Sequence, residues 1–389
     1  MHSSEKLSGY RPAVSRESFI FIGIFLLFFS ALGSKMGVVN MINTMMNTAY
    51  MLLQETVFYI LAIAVLAGAV SGLFTEFGVV SLVHHALSGL MKPVYHLPGA
   101  SILGVLATYL SDNPAILTLA DHSGFRCFFK KYQLPALTNL GTSFGMGMVI
   151  TIYMMGLKAP SGQNFIAAAL LGNLGAIFGS IVSVRLMLFY TKREYGAEER
   201  CRESGEEAVD IRRYRKISEG SVGERFMNAM LDGGKSGVET GLAIIPGVLV
   251  ICTIVLMLTN GPGPEGYTGG AYEGIGFLPV AGKWMNPVLK PLFGFTSPEA
   301  IAVPVTALGA AGASLGLIPS MVARGMVNAS DIGVFTAMCM CWSGYLSTHV
   351  AMMDRLNCSK MTGKAIFSHT IGGLAAGIFA HLLCRIFVI

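Results

Sequence analysis

The sequence predicts an all-α integral membrane protein with an inverted-topology repeat, in which each half carries a re-entrant helical hairpin. Three observations carry that expectation. Of 389 residues, 53% are hydrophobic and 13% charged, with a mean hydropathy of +0.61, which is more apolar side chain than a soluble core could hide. The halves are related: "LMKPVYHLPG" from Leu90 aligns with "VLKPLFGFTS" from Val288, and the offset of about 198 residues persists where Met154 and Met155 fall on Met352 and Met353. At an offset of 200, "LGNLGA" from Leu171 falls on "IGGLAA" from Ile371. Third, the apolar stretch "ATYLSDNPAILTLAD", 107–121, holds an acid, an amide and a proline at its centre.

Taken in chain order, "ESFIFIGIFLLFFSALGSK", 17–35, has the outline of a secretory signal. Because the rest of the chain is itself membrane-embedded, it reads as a retained first helix, and residues 1–50 as that helix plus an amphipathic connector. The first repeat is expected over 51–190. Helix 57–74 returns the chain to the cytoplasm, where Lys92 holds 75–99. If 100–122 then crossed the bilayer, Arg126, Lys130 and Lys131 would land outside. A hairpin turned by Asn113 and Pro114, with arms of about ten residues, enters and leaves on one side instead.

Runs at 136–157 and 163–190 reach bilayer length at 1.5 Å per residue, as do 238–259, 331–352 and 365–388. They are apolar throughout rather than alternating, so helices and not barrel strands are implied. The polar segment 191–235, rich in Lys and Arg, belongs in the cytoplasm as a linker. The second repeat, 236–389, contains "NGPGPEGYTGGAYEGIG", 260–276, which lacks Lys and Arg and reads as an external loop. Its hairpin, 300–322, contains "AIAVPVTALGAAGASLGLIPS" and enters from outside. Inverted repeats whose broken helices meet at the midplane are the architecture of secondary transporters, with the binding site between the breaks.

Candidate site residues follow from the breaks. Asp112 reads as a coupling-ion site for H+ or Na+, as a hydrogen-bond acceptor for the solute, or as a cap on the half-helix that follows. Asn113 stands beside it. After the first hairpin, Asn139, Thr142 and Ser143 share one helical face, and after the second, Ser343 and Ser347, with Thr348 near them, make a similar stripe. These and Ser314 are the substrate-binding candidates; each serine and threonine also has an ordinary reading as a helix-to-helix hydrogen bond. His349 reads either as a proton relay or as an interfacial histidine. His84 and His85 fall on a surface helix without a metal.

Several classes are excluded or disfavoured. The net charge of +5 and seven scattered cysteines point neither to a nucleic-acid partner nor to a disulfide framework. Cys339 and Cys341 read as packing residues, and the 23 methionines as core filler. No P-loop and no HExxH string is present, so primary energy coupling has no basis, and an enzyme is not expected.

The stretch "FMNAMLDGGKSGVETGLAIIPGVLVICTIVLMLTNG", 226–261, followed by "WMNPVLKPLFGFTSPEA", a hairpin and a polar helix, resembles the concentrative nucleoside transporters. More broadly the chain resembles the nucleoside-recognition GATE-domain membrane proteins, over 75–190 and 220–389. The resemblance implies binding by the hairpins, and the carry-over reaches Asp112, Asn113 and, by position, Ser314. The chain departs from that family's pattern: "SDNPA" stands in the first hairpin in place of a "GQTEAP"-like motif, and "GAAGASLG" in the second lacks an acid.

The expected function is secondary active transport of a small polar solute, nucleoside-like, by alternating access driven by H+ or Na+. The alternative is a non-transporting membrane assembly or scaffold protein with the same fold. Expected besides are no cofactor beyond the coupling ion, no metal, lipid contacts, room for a homo-oligomer, and a bacterial plasma membrane location.

Overall fold

The computed structural model describes residues 12–113, 115–120, 123–199, 201 and 217–388. Among them there is no strand, though an isolated bridge joins Gly263 and Gly266. Helix α1, Arg16–Met36, is largely exposed apolar surface. Helix α2, Val38–Met51, runs through a π-helical turn, Leu52–Val57, into α3, Phe58–Glu76. Then come the amphipathic α4, Val79–Tyr95, and three short helices, α5, Ser101–Leu110, α6, Ala115–Ala120, and α7, Ser123–Arg126. The half closes with α8, Leu134–Thr142, α9, Gly147–Gly156, and the long α10, Ile166–Tyr195.

The second half begins at Val222. Helix α11, Val222–Ala243, leads through a second π turn, Gly247–Cys252, into α12, Thr253–Thr259. An amphipathic α13, Phe277–Phe293, precedes the pair α14, Ala302–Gly309, and α15, Ala311–Ala323. The interrupted pair α16, Ala329–Cys341, and α17, Tyr345–Arg355, is followed by α18, Thr362–Phe387. Helices α4 and α13 carry prolines near their C-terminal ends and stop at left-handed residues, His96 (φ 57°) and Gly294 (φ 66°), where a helix can be capped by turning the chain away.

Among the described residues, five stretches are long and apolar enough to cross a membrane: Arg16–Met36, Val38–Glu76, Ile166–Tyr195, Val222–Thr259 and Ser359–Phe387. The chain is a multi-pass membrane protein. The apolar runs 136–157 and 331–352 differ from the sequence expectation, because neither is one helix. The first breaks at Ser143–Met146, where Met146 has φ 54°, and the second at Trp342–Gly344, where Gly344 has φ 60°. Glycine in "FGMG" and "WSGY" supplies little helix propensity at those points, and tertiary contacts to the breaks, described below, outweigh the hydrophobic pattern.

Helices cross closely where both sides are small. On α3 and α11, a Cβ at Gly72 would run into the Ala229 carbonyl and one at Gly233 into the Gly68 carbonyl, so the backbones touch without intervening side chains. Gly179 of α10 meets Gly372 and Ala376 of α18 in the same way. Thus α3 packs against α11, and α10 against α18, through their small residues. At one end of α3 and α11, the Glu76 carboxylate accepts from Arg225 Nε at 2.6 Å and from the Ser218 hydroxyl at 3.0 Å.

Candidate functional site

Helix α5 ends at Leu110, because Ser111 leaves the helical region (φ −134°, ψ −109°). There the Asn113 N–H donates to Asp112 Oδ1 at 2.7 Å. Asp112 therefore satisfies a backbone donor at its own break, as a capping residue does, yet no lysine, arginine or histidine is paired with it among the described residues. Pro114 lies outside the described residues, as do Asp121 and His122.

Helices α14 and α15 are separated by a single extended residue, Ala310 (φ −160°, ψ 115°). Helix α15 starts at the next residue with no side chain capping it, so its first N–H groups are available at the break. Opposite lies the break between α16 and α17, where the Gly344 N–H donates to Ala307 O at 3.0 Å. The two interrupted elements of the second half are thereby joined backbone to backbone.

Between the halves, Asn113 Nδ2 donates to Ser343 O at 2.5 Å, and both residues are buried. The Asn113 side chain lies against Gly145, in the break between α8 and α9, so closely that a Cβ there would collide with Oδ1. All four interruptions thus meet around one cavity of about 200 Å³, lined by Asp112 and Asn113, Met146, Gly309 to Gly312, Ser343, Gly344, Ser347 and Thr348. Thr240, Ala243, Ile244 and Gly247, around the end of α11, complete it.

The cavity is chemically two-sided. Asp112 brings carboxylate acceptors, Ser347 and Thr348 bring hydroxyls, and the start of α15 brings N–H donors with the positive end of its helix dipole. Such a set suits a neutral solute that carries both donors and acceptors. The Ser347 and Thr348 hydroxyls each donate to Gly344 O, at 3.3 and 3.0 Å, while Ser347 remains exposed.

Of the sequence candidates, the structure brings Asp112, Asn113, Ser343 and Ser347 to the cavity, Ser343 holding Asn113 through its carbonyl. The other four lie elsewhere. Asn139 Nδ2 donates to Ser183 Oγ at 2.9 Å and to Ala365 O at 3.0 Å. Thr142 donates to Thr138 O at 2.8 Å, and Ser143 to Asn139 O at 2.8 Å. Ser314 donates to Ala311 O at 2.6 Å and faces Cys339. These hydroxyls are buried and bonded to the preceding helical turn, as many intramembrane serines and threonines are.

Ser143 and Ser314 also stand in Gly-x-Ser-x-Gly strings, "GTSFG" and "GASLG". Neither is a nucleophile elbow, since both are wholly buried, no strand precedes them, and their hydroxyls point at backbone carbonyls. His349 is wholly buried rather than interfacial, and His84 is buried in α4 while His85 is exposed. Cys339 and Cys341 are buried in α16.

Met146, Thr240, Gly309 and Gly344 were missing from the sequence candidates. The glycines of "FGMG", "TALGA" and "WSGY" were the available signal for the breaks. Nothing in the sequence marks Thr240, which reaches the cavity from a helix preceding the hairpin by some sixty residues.

No protein-family model matches the chain, and no curated protein matches it by sequence. Solved structures do resemble it. A doubly substituted form of the concentrative nucleoside transporter CNTnw in an outward-facing state is 14% identical, with a TM-score of 0.57, over 95% of this chain and 85% of that one. CNTnw in an inward-facing substrate-bound state gives 14% and 0.53 over 95% and 85%, and a variant in an intermediate 2 state gives 14% and 0.52 over 86% and 80%. At this identity the likeness establishes a fold like that of CNTnw.

Proposed function

We propose that the chain is a secondary active transporter that moves a small polar solute, nucleoside-like, by alternating access. The observation that carries this reading is the convergence of four backbone interruptions, two from each half, on one polar cavity. A helix that breaks inside a membrane leaves backbone groups unpaired, which is tolerable only where protein or a water-filled cavity satisfies them. Here they surround a cavity that is smaller than the roughly 300 Å³ and above of drug-sized sites.

In this reading the halves form an inverted repeat, and α5 with α6 and α14 with α15 are re-entrant hairpins entering from opposite sides. Such hairpins move as gates on either side of a fixed midplane site. The fold shared with a transporter described in outward-facing, inward-facing and intermediate states supports that motion. Asp112, Asn113 and the start of α15 hold the solute, with Ser347 and Thr348 at its edge, and an H+ or Na+ gradient drives accumulation. Asn139, Thr142, Ser143 and Ser314 support the site by fixing the helices that shape it.

Uptake of radiolabelled nucleosides into proteoliposomes under imposed proton or sodium gradients tests this. Gradient-dependent accumulation that Asp112→Asn abolishes is the expected result. No flux of any nucleoside, nucleobase, amino acid or organic acid, with a protein partner co-purifying, would favour the assembly role instead.

A further inference from the structure

A second polar cluster lies away from the cavity, wholly buried where α8 and α10 of the first half meet α17 and α18 of the second. Its hydrogen bonds run in one direction. Asn139 Nδ2 donates to Ser183 Oγ at 2.9 Å, and Ser183 Oγ lies 3.0 Å from His369 Nδ1. His369 Nε2 lies 2.5 Å from Cys341 O, at the C-terminal end of α16. A carbonyl can only accept, so the His369 proton is on Nε2, its Nδ1 is the acceptor, and the Ser183 hydroxyl donates to it.

The same reasoning fixes His349. Its Nδ1 lies 3.0 Å from Tyr345 O, so Nδ1 carries the proton and Nε2 holds a bare lone pair. That Nε2 is buried and has no partner, and Asn139 Oδ1, another acceptor, has none either. His349 and His369 are both 0% exposed, with ring centroids 4.7 Å apart, and the Tyr345 ring packs on each, at 5.5 and 5.1 Å. Both acceptors stay bare, for the buried Thr138 and Ser368 hydroxyls and the Trp342 indole N–H beside the cluster make no hydrogen bond with them. An uncompensated buried acceptor is destabilising, and an ionisable residue inside a membrane protein is a functional candidate by default.

Little else nearby can hold charge. Helices α8 and α14, which pack on α17, contain no titratable residue. From α18 only His369 faces the ring, since Lys364 lies over Tyr190 at 4.8 Å. Lys360, beside the start of α18, is exposed, and on α17 itself Asp354 accepts from Ser359 in solvent, while Arg355 is exposed. Thr348, next to His349 on α17, lines the solute cavity, so one helix carries the solute contact and the bare nitrogen.

We infer that His349 Nε2 is a proton-binding site linked to solute movement, held in its tautomer by Tyr345 O and packed against the fixed chain Asn139–Ser183–His369. The ligand is the proton itself. Hydronium on one side of the membrane gives a proton to the Nε2 lone pair, creating a buried imidazolium, and water on the other side takes it back when the halves rearrange. No other bond is made or broken. The inference rests on the transporter reading, and it leaves Asp112 to the solute.

Two measurements test it. In proteoliposomes enclosing a pH dye, uridine added outside acidifies the lumen through the wild type. His349→Gln, whose amide can neither gain nor release a proton, retains exchange of internal for external labelled uridine but gives no acidification. Acidification by His349→Gln equal to that of the wild type overturns the inference, as does uridine exchange by the wild type with no proton movement. If the wild type does not exchange uridine, the nucleoside reading fails, and a binding measurement judges the site separately. In protein with 15N-labelled histidine, assigned by comparison with His349→Gln, the inference predicts an Nδ1-protonated ring at alkaline pH that gains an Nε2 proton on acidification. A ring that keeps Nε2 bare at every pH where the protein stays folded overturns it, whatever transport shows.

Discussion

Asn113 Nδ2 donates to Ser343 O at 2.5 Å, tying the break after α5 to the break between α16 and α17. The bond crosses between the halves and forms one wall of the candidate site. Asn113→Asp keeps the shape and removes the donor, setting a carboxylate against a carbonyl. Leaving that buried acceptor unmatched costs about 1–3 kcal/mol. Solute affinity should therefore fall roughly 5- to 150-fold, measured by titration of the purified protein, and an unchanged affinity would separate this bond from the site.

Gly145 is the second contact of Asn113. A Cβ there would collide with the side-chain amide, so Gly145→Ala must displace Asn113 or shift the break between α8 and α9. The expected outcome is loss of solute binding in a protein that still inserts and purifies. Gly223→Ala, where no atom lies within 4 Å of an added Cβ, should leave binding as it was.

The α3 and α11 crossing makes a prediction about stability rather than binding. Leucine at Gly72 or Gly233 has to push apart backbones already in contact. Overpacking of this kind typically costs about 1–3 kcal/mol. Both variants should melt below the wild type in detergent, and wild-type melting by either would show that the helices can separate freely.

Glu273 gives a pH dependence outside the membrane-spanning segments. Burial opposes its ionisation, but hydrogen bonds from the Thr268 hydroxyl at 2.7 Å and from the N–H groups of Thr268 and Gly269, both at 3.1 Å, together outweigh burial and hold its carboxyl below the ordinary value. A carboxyl lowered by folding stabilises above its unfolded pKa, and that stabilisation disappears as pH falls through the folded value. Thermal stability should therefore decline on acidification through the carboxylate range, and Glu273→Gln should show a smaller decline from a lower start. An equal decline in both would assign the acid sensitivity to other groups.

How much of this was legible in the sequence depended on what each signal measures. Bilayer-length apolar runs located α10 and α18, because hydropathy reports on the chain itself. The interruption at Asp112–Asn113 was legible for the same reason, a polar pair in an apolar run. The breaks at Ser143–Met146 and Trp342–Gly344 were not, since hydropathy continues unbroken across them and only glycine marks the place. At Asn139, Thr142, Ser143 and Ser314 polarity left two readings open, for a buried polar side chain bonded to a neighbouring helix or to its own looks in sequence like one facing a solute. Thr240 could not be found at all, because its place depends on how α11 lies against the second hairpin.

The most direct test of the central claim, that a solute binds where the four breaks meet, is thermal stabilisation of the purified protein by nucleosides, nucleobases, amino acids and organic acids. A ligand that binds only the folded state raises the melting temperature, by about 2.7 kcal/mol of added stability at a hundredfold excess over its dissociation constant. One polar solute class, nucleosides first, should raise the melting temperature of the wild type and leave that of Asp112→Asn unmoved. Equal stabilisation of both proteins would place the solute elsewhere and contradict the account.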